Sequence, residues 1–106
     1  MNYDINSAAA AYASSFGNNE RRLIEWLNAN GISSAKDDVI KRVREVESAV
    51  VEQIFSGSRT FTGRELEQMI IDYCKTHEPD IKGEGIRSIL DYCAWMAWHE
   101  GYLADR

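Results

Sequence analysis

Val39, Val43, Val46, Val50 and Ile54 fall three or four positions apart, which on an α-helix lines all five along one continuous stripe. β-branched side chains lose χ1 freedom in a helix, so a helix carrying this many is held by packing rather than by intrinsic propensity. The stripe therefore demands neighbours, and Ile40 and Val51 widen it to a second contact side. The pattern predicts a helix over about residues 35–55, central to an all-α bundle of four to five helices. Ser34-Ala35-Lys36-Asp37 opens it, with Asp37 near the positive helix end, and Gly57 closes it. Glu45, Glu47 and Glu52 alternate with Lys41, Arg42 and Arg44, which reads as ordinary pairing on a solvated face. Arg21, Arg22, Lys41, Arg42 and Arg44 form one modest basic patch if their helices are neighbours.

The sharpest local signal is Phe61-Thr62-Gly63-Arg64-Glu65-Leu66. Thr62 is an N-cap whose hydroxyl accepts from the Glu65 amide, Glu65 reaches back to the Thr62 amide, and Phe61 and Leu66 sit where a hydrophobic staple closes. The helix so started runs to about His77 with Leu66, Met69, Ile70, Tyr73 and Cys74 inward, and Pro79 stops it. A loop through Gly83 or Gly85 leads to a last helix that Gly101 closes. Gly83-Glu84-Gly85 lacks the strand, further glycine and lysine-serine pair of a phosphate loop and reads as flexible spacing.

Upstream, Asn18 or Asn19 caps a helix to about Ala29 with Leu23, Ile24, Trp26 and Leu27 on its apolar side, and Gly31 fits a left-handed C′ residue. Residues 1–17 are a docked short helix or a frayed segment: Asn6 or Ser7 caps the alanine run, with Ile5, Tyr12 and Phe16 as anchors.

All of this fits in 106 residues as a single helical domain. No apolar run approaches the roughly 20 residues of a spanning helix, and the start of the chain lacks the basic residues of a signal peptide, so a cytoplasmic protein is expected. Cys74 and Cys93 are then expected as reduced thiols packed as small apolar side chains, with a disulfide as the alternative reading. Residues 1–56 hold six basic and eight acidic groups, residues 57–106 six and nine; neither half is basic, which weighs against a phosphate-neutralising surface. Cys74, His77, Cys93 and His99 do not make a zinc site, because Cys93 and His99 stand about 240° apart on their helix. No catalytic constellation, cofactor site or metal site is expected.

At about 100° per residue, the last helix puts Ile86, Ile89, Leu90, Cys93, Met96 and Ala97 on one arc, its core side. Trp95 and Trp98 fall on the side that should be polar, with Arg87 and Asp91, and Tyr92 beside them. Either the N-terminal segment or an earlier helix folds over them, or they are an interface for a partner or a second copy; nucleobase stacking is a third reading. The expected interaction surface is Tyr92, Trp95, Trp98, Arg87 and Tyr102.

From residue 50 onward the chain resembles a winged helix-turn-helix domain. A helix end (50–55), a short extended segment (59–61), a Thr-capped second helix (62–77), a third helix (85–100) and the closing phrase His99-Glu100-Gly101-Tyr102-Leu103 follow in that family's order. The resemblance implies a winged-helix-like C-terminal half without a full wing, and a nucleic-acid-binding transcriptional regulator. The small size, acidic balance and all-helical pattern also resemble accessory proteins of phages and prophages. The residues themselves favour a non-enzymatic protein-interaction role, with the regulator as the competing reading.

Overall fold

The valine stripe disappears completely: Val39, Val43, Val46, Val50 and Ile54 have no exposed surface in the computed structural model, which describes residues 3–13, 19–57 and 59–104. Burying each is worth about 1.5–3 kcal/mol, well above the fraction of a kcal/mol that a β-branched residue costs a helix. The helix bearing them, α3, spans Lys36–Ser56 behind a 3₁₀ turn at Ser33–Ala35. Around it lie α1 (Ile5–Ala13), α2 (Asn19–Ala29), α4 (Gly63–His77) and α5 (Gly83–His99), giving five α-helices and no named strand among the described residues. All four other helices touch α3. It shares the centre with α5, which packs against α1, α3 and α4 and makes its broadest contact with α1.

The N-terminal segment is therefore a docked helix, with Ile5, Ala8, Ala9 and Tyr12 buried. Its cap is neither Asn6 nor Ser7. The Asp4 carboxylate accepts from the Asn6 amide at 2.9 Å, the Ser7 amide at 3.3 Å and the Ser7 hydroxyl at 2.8 Å. These hydrogen bonds, led by the Ser7 hydroxyl, hold the Asp4 carboxyl below its usual range. Asn6 instead clamps α1 to the start of α5: its Oδ1 accepts from the Lys82 amide at 2.7 Å and its Nδ2 donates to the Asp80 carbonyl at 3.1 Å. Phe16 and Asn18 lie outside the described residues.

The same contact explains Gly85. It is not flexible spacing; α5 begins at Gly83, and Gly85 is a buried residue of its first turn. A Cβ there would run into Asn6 Oδ1 and lie 3.3 Å from Asn6 Cα. Only a glycine lets α1 and α5 approach this closely.

α2 ends in a Schellman motif. The Ile32 amide donates to the Leu27 carbonyl at 3.0 Å and the Gly31 amide to the Asn28 carbonyl at 3.2 Å, around Gly31 at φ 69°. Leu23 and Leu27 are buried, while Ile24 faces outward, 37% exposed.

The Thr62 capping box is complete: the Glu65 amide donates to Thr62 Oγ1 at 3.1 Å and the Thr62 amide to Glu65 Oε1 at 3.0 Å. Phe61 and Leu66 are both buried, as a staple requires. Phe61 also forms a parallel bridge with Leu103. Its amide donates to the Tyr102 carbonyl and its carbonyl accepts from the Ala104 amide, both at 2.7 Å. The connector before α4 is thereby fastened to the chain leaving α5.

Candidate functional site

Packing decides which face of α5 remains available. Gly85, Ile89, Cys93 and Ala97 are buried, and successive residues turn by about 100°. The outward edge consequently carries Arg87, Asp91, Trp95 and Trp98. Although α1 docks on α5, Trp95 keeps 39% and Trp98 46% of its surface exposed. The Trp95 ring stacks on His99 at 5.1 Å and 26°, and His99 Nδ1 lies 3.2 Å from Glu100 Oε1. The last turn of α5 is thus an aromatic platform with charge at its end.

The other two residues of the expected surface lie elsewhere. Tyr102 is half-buried with its ring 5.1 Å from Phe55, under the Phe61–Leu103 bridge. Tyr92 turns toward α1 and α3 and joins a different feature. Of the five, the structure places Trp95, Trp98 and Arg87 on one edge and separates Tyr92 and Tyr102 from it.

The feature Tyr92 joins is a pocket of about 560 Å³ walled by α1, α2, α3 and α5. On its wall stands Glu47, the only buried polar side chain among the described residues, 7% exposed. Its Oε2 has no hydrogen-bond partner. Burial pushes its carboxyl up to about 7, against the downward pull of the Arg44 charge. Arg44 donates from Nε to the Tyr12 hydroxyl at 2.7 Å and lies 5.9 Å from the centre of that ring. Burial, with the Glu47 charge behind it, also raises the Tyr92 phenol. At the mouth, Glu20 accepts from Lys36 Nζ at 2.8 Å.

Surface pairing along α3 therefore fails for Glu47, and the reason was available in the chain. Glu47 lies four residues after Val43 and three before Val50, inside the stripe that packs inward.

Arg42 leaves the supposed basic patch for the same reason. It is half-buried, with Nε donating to Glu78 Oε1 at 2.8 Å and Nη1 to the Tyr3 hydroxyl at 3.1 Å, while that hydroxyl donates to Asp38. Burial works against the Arg42 charge, but the hydrogen bonds to Glu78 and Tyr3 outweigh it and raise its pKa. Arg21 pairs with Glu25 at 3.2 Å. Of this basic cluster, Arg21 and Arg42 are thus paired with carboxylates and Arg44 with the Tyr12 hydroxyl.

Cys74 and Cys93 are buried free thiols. Burial pushes Cys74 up to about 11, helped by the Glu78 charge, and raises Cys93 further, helped by Glu47. His77 is exposed, its ring 4.4 Å from that of Tyr73 and tilted 31° to it. Among the described residues no three His, Cys, Asp or Glu side chains converge on a metal position, and no helix is long and apolar enough to cross a membrane. Comparison of the chain with protein-family models, curated proteins and solved structures gives no match.

Proposed function

We propose that this chain is a non-enzymatic protein-interaction module that pairs with a second copy of itself through the outward edge of α5. The observation that carries the reading is the pair of tryptophans, 39% and 46% exposed, on the edge opposite the face α5 buries. Tryptophan and arginine are the residue types that dominate interface energetics, and a tryptophan anchor contributes about 2 kcal/mol or more. The edge is also self-complementary. An antiparallel two-fold pairing centred near residue 93 brings each copy's Arg87 opposite the other's Trp98, a cation against an indole face, and each Asp91 beside the other's Trp95.

An accessory role in the cytoplasm, of the kind phage and prophage proteins of this style perform, is the setting we infer; buried free thiols support a reducing compartment.

The test is Trp95→Ser with Trp98→Ser, examined by light scattering and thermal unfolding. The double variant is expected to be monomeric with a midpoint close to that of the original chain. A large fall in the midpoint makes the tryptophans core residues and ends the proposal. A duplex-DNA mobility shift that weakens steeply with salt would transfer it to the winged-helix reading.

A further inference from the structure

We propose that the pocket between α1, α2, α3 and α5 is a binding site for a small primary amine, taken up as its ammonium ion with the Glu47 carboxylate as counter-ion. The pocket is about 560 Å³, within the range of about 300–1,000 Å³ typical of small-molecule sites. Glu47 is 7% exposed, and its Oε2 faces no donor. A buried acceptor without a donor is costly, and an ionised one more so. A cationic ligand group held in the pocket that Glu47 lines offsets the cost of ionising that carboxylate.

The rest of the wall selects the ligand's charge. Tyr12 and Tyr92 supply aromatic surface, against which an organic cation is favoured over an anion. Glu20 also lines the pocket, paired with Lys36 Nζ at 2.8 Å. The one arginine of the lining, Arg44, is committed through Nε to the Tyr12 hydroxyl. Because that hydroxyl accepts from Arg44, its own O–H is left to donate to a polar atom elsewhere on the ligand. An anionic ligand would meet the Glu47 carboxylate, with Arg44 already held by Tyr12 and Glu20 already paired with Lys36. A metal ion would need a ligand group that the described residues do not contain. Val51 closes one side of the pocket with apolar surface, which suits the hydrocarbon part of an amine.

Protonation couples to this site in a definite direction. The groups facing Glu47 are Arg44 on α3, Tyr12 on α1, Glu20 on α2 and Tyr92 and Cys93 on α5. Only Arg44 favours its charge, and burial holds the carboxyl up to about 7. Ammonium binding near neutral pH therefore displaces a proton from Glu47, and affinity rises between pH 6 and pH 8.

The experiment is an NMR titration of the full chain with benzylammonium chloride, with benzyl alcohol and sodium benzoate as matched neutral and anionic probes. Saturable shifts of the Arg44, Glu47, Ser48 and Tyr92 amides are expected with benzylammonium. Benzyl alcohol should bind about tenfold or more weakly, the worth of one hydrogen bond to a charged group, and benzoate not at all. Glu47→Gln should lose about tenfold or more in benzylammonium affinity while unfolding at or above the temperature of the original chain at pH 8. Trp95→Ser with Trp98→Ser should leave the titration unchanged, so this site and the α5 edge fail or stand separately. Benzoate or benzyl alcohol binding as tightly as benzylammonium, unaltered affinity in the Gln variant, or no saturable shift with benzylammonium each overturns the assignment.

Discussion

Glu47→Gln keeps the size and shape of a side chain buried against α1 and α5 and removes only its ability to ionise. In the unfolded chain the carboxyl titrates at its ordinary value of 4.5; in the folded chain burial moves it to about 7. Below pH 4.5 both states hold the proton, and the folded chain loses nothing. As pH rises the unfolded chain ionises first, so stability falls until the folded carboxyl ionises near 7, after which the loss is constant. At about 1.36 kcal/mol per pH unit, the gap between the two values amounts to about 3 kcal/mol. The Gln variant does not titrate at this position. Its advantage over the original chain should therefore grow from nearly zero at pH 4 to about 3 kcal/mol at pH 8. With urea m-values of about 1–3 kcal/mol per molar, the midpoints should separate by roughly 1–3 M over that span. The assay is urea unfolding of both chains, followed by circular dichroism at half-unit intervals of pH. A difference that stays flat with pH, or an original chain more stable than the variant at pH 8, would mean that Glu47 is ionised and partnered in the fold, and the burial argument fails.

Gly85→Ala forces Asn6 off the Lys82 amide; even after the gain of up to about 1 kcal/mol in helix propensity, overpacking and the lost hydrogen bond should leave a net loss of about 1–2 kcal/mol in thermal unfolding, with faster amide exchange along α1. A neutral or stabilising result would show that α1 does not depend on this approach. Thr62→Ala removes the cap hydroxyl that accepts from Glu65 and should cost about 1 kcal/mol in denaturant unfolding. Cys74 and Cys93, buried and with raised pKa values, should react with a thiol reagent at pH 8 only as fast as the chain opens, and at once in denaturant.

Where the chain carries its own stereochemical signals, the sequence and the structure agree closely. Thr62 and Glu65 place the start of α4 because capping is a contact within one turn, and Gly31 places the end of α2 because a Schellman turn is equally local. The valine stripe gives the inward face of α3 through simple periodicity. Tertiary choices were harder to read. Nothing local ranks Asp4 above Asn6 as the cap of α1 until Asn6 is seen to be occupied with Lys82 across the bundle. Gly85 reads as a spacer because its reason, the backbone of α1, is distant in the chain. Glu47 was legible in principle, since its spacing from Val43 and Val50 lies inside the stripe, but the alternation of charge around it points outward. On α5 the tryptophans face where the periodicity puts them, whereas Tyr92 and Tyr102 are drawn inward by α3 and by the Phe61–Leu103 bridge.

The pairing of two α5 edges is tested most directly by sedimentation equilibrium of the original chain and the Trp95→Ser, Trp98→Ser variant at low and high salt. The account predicts that the original chain approaches twice its 12.1 kDa mass as concentration rises. Association should be stronger at high salt, because each copy carries a net charge of −5 and screening removes their mutual repulsion. Loss of two anchors worth about 2 kcal/mol each should weaken the variant's association by about a thousandfold or more. An original chain that remains at 12.1 kDa throughout, or a variant that dimerises as well as the original, would contradict it.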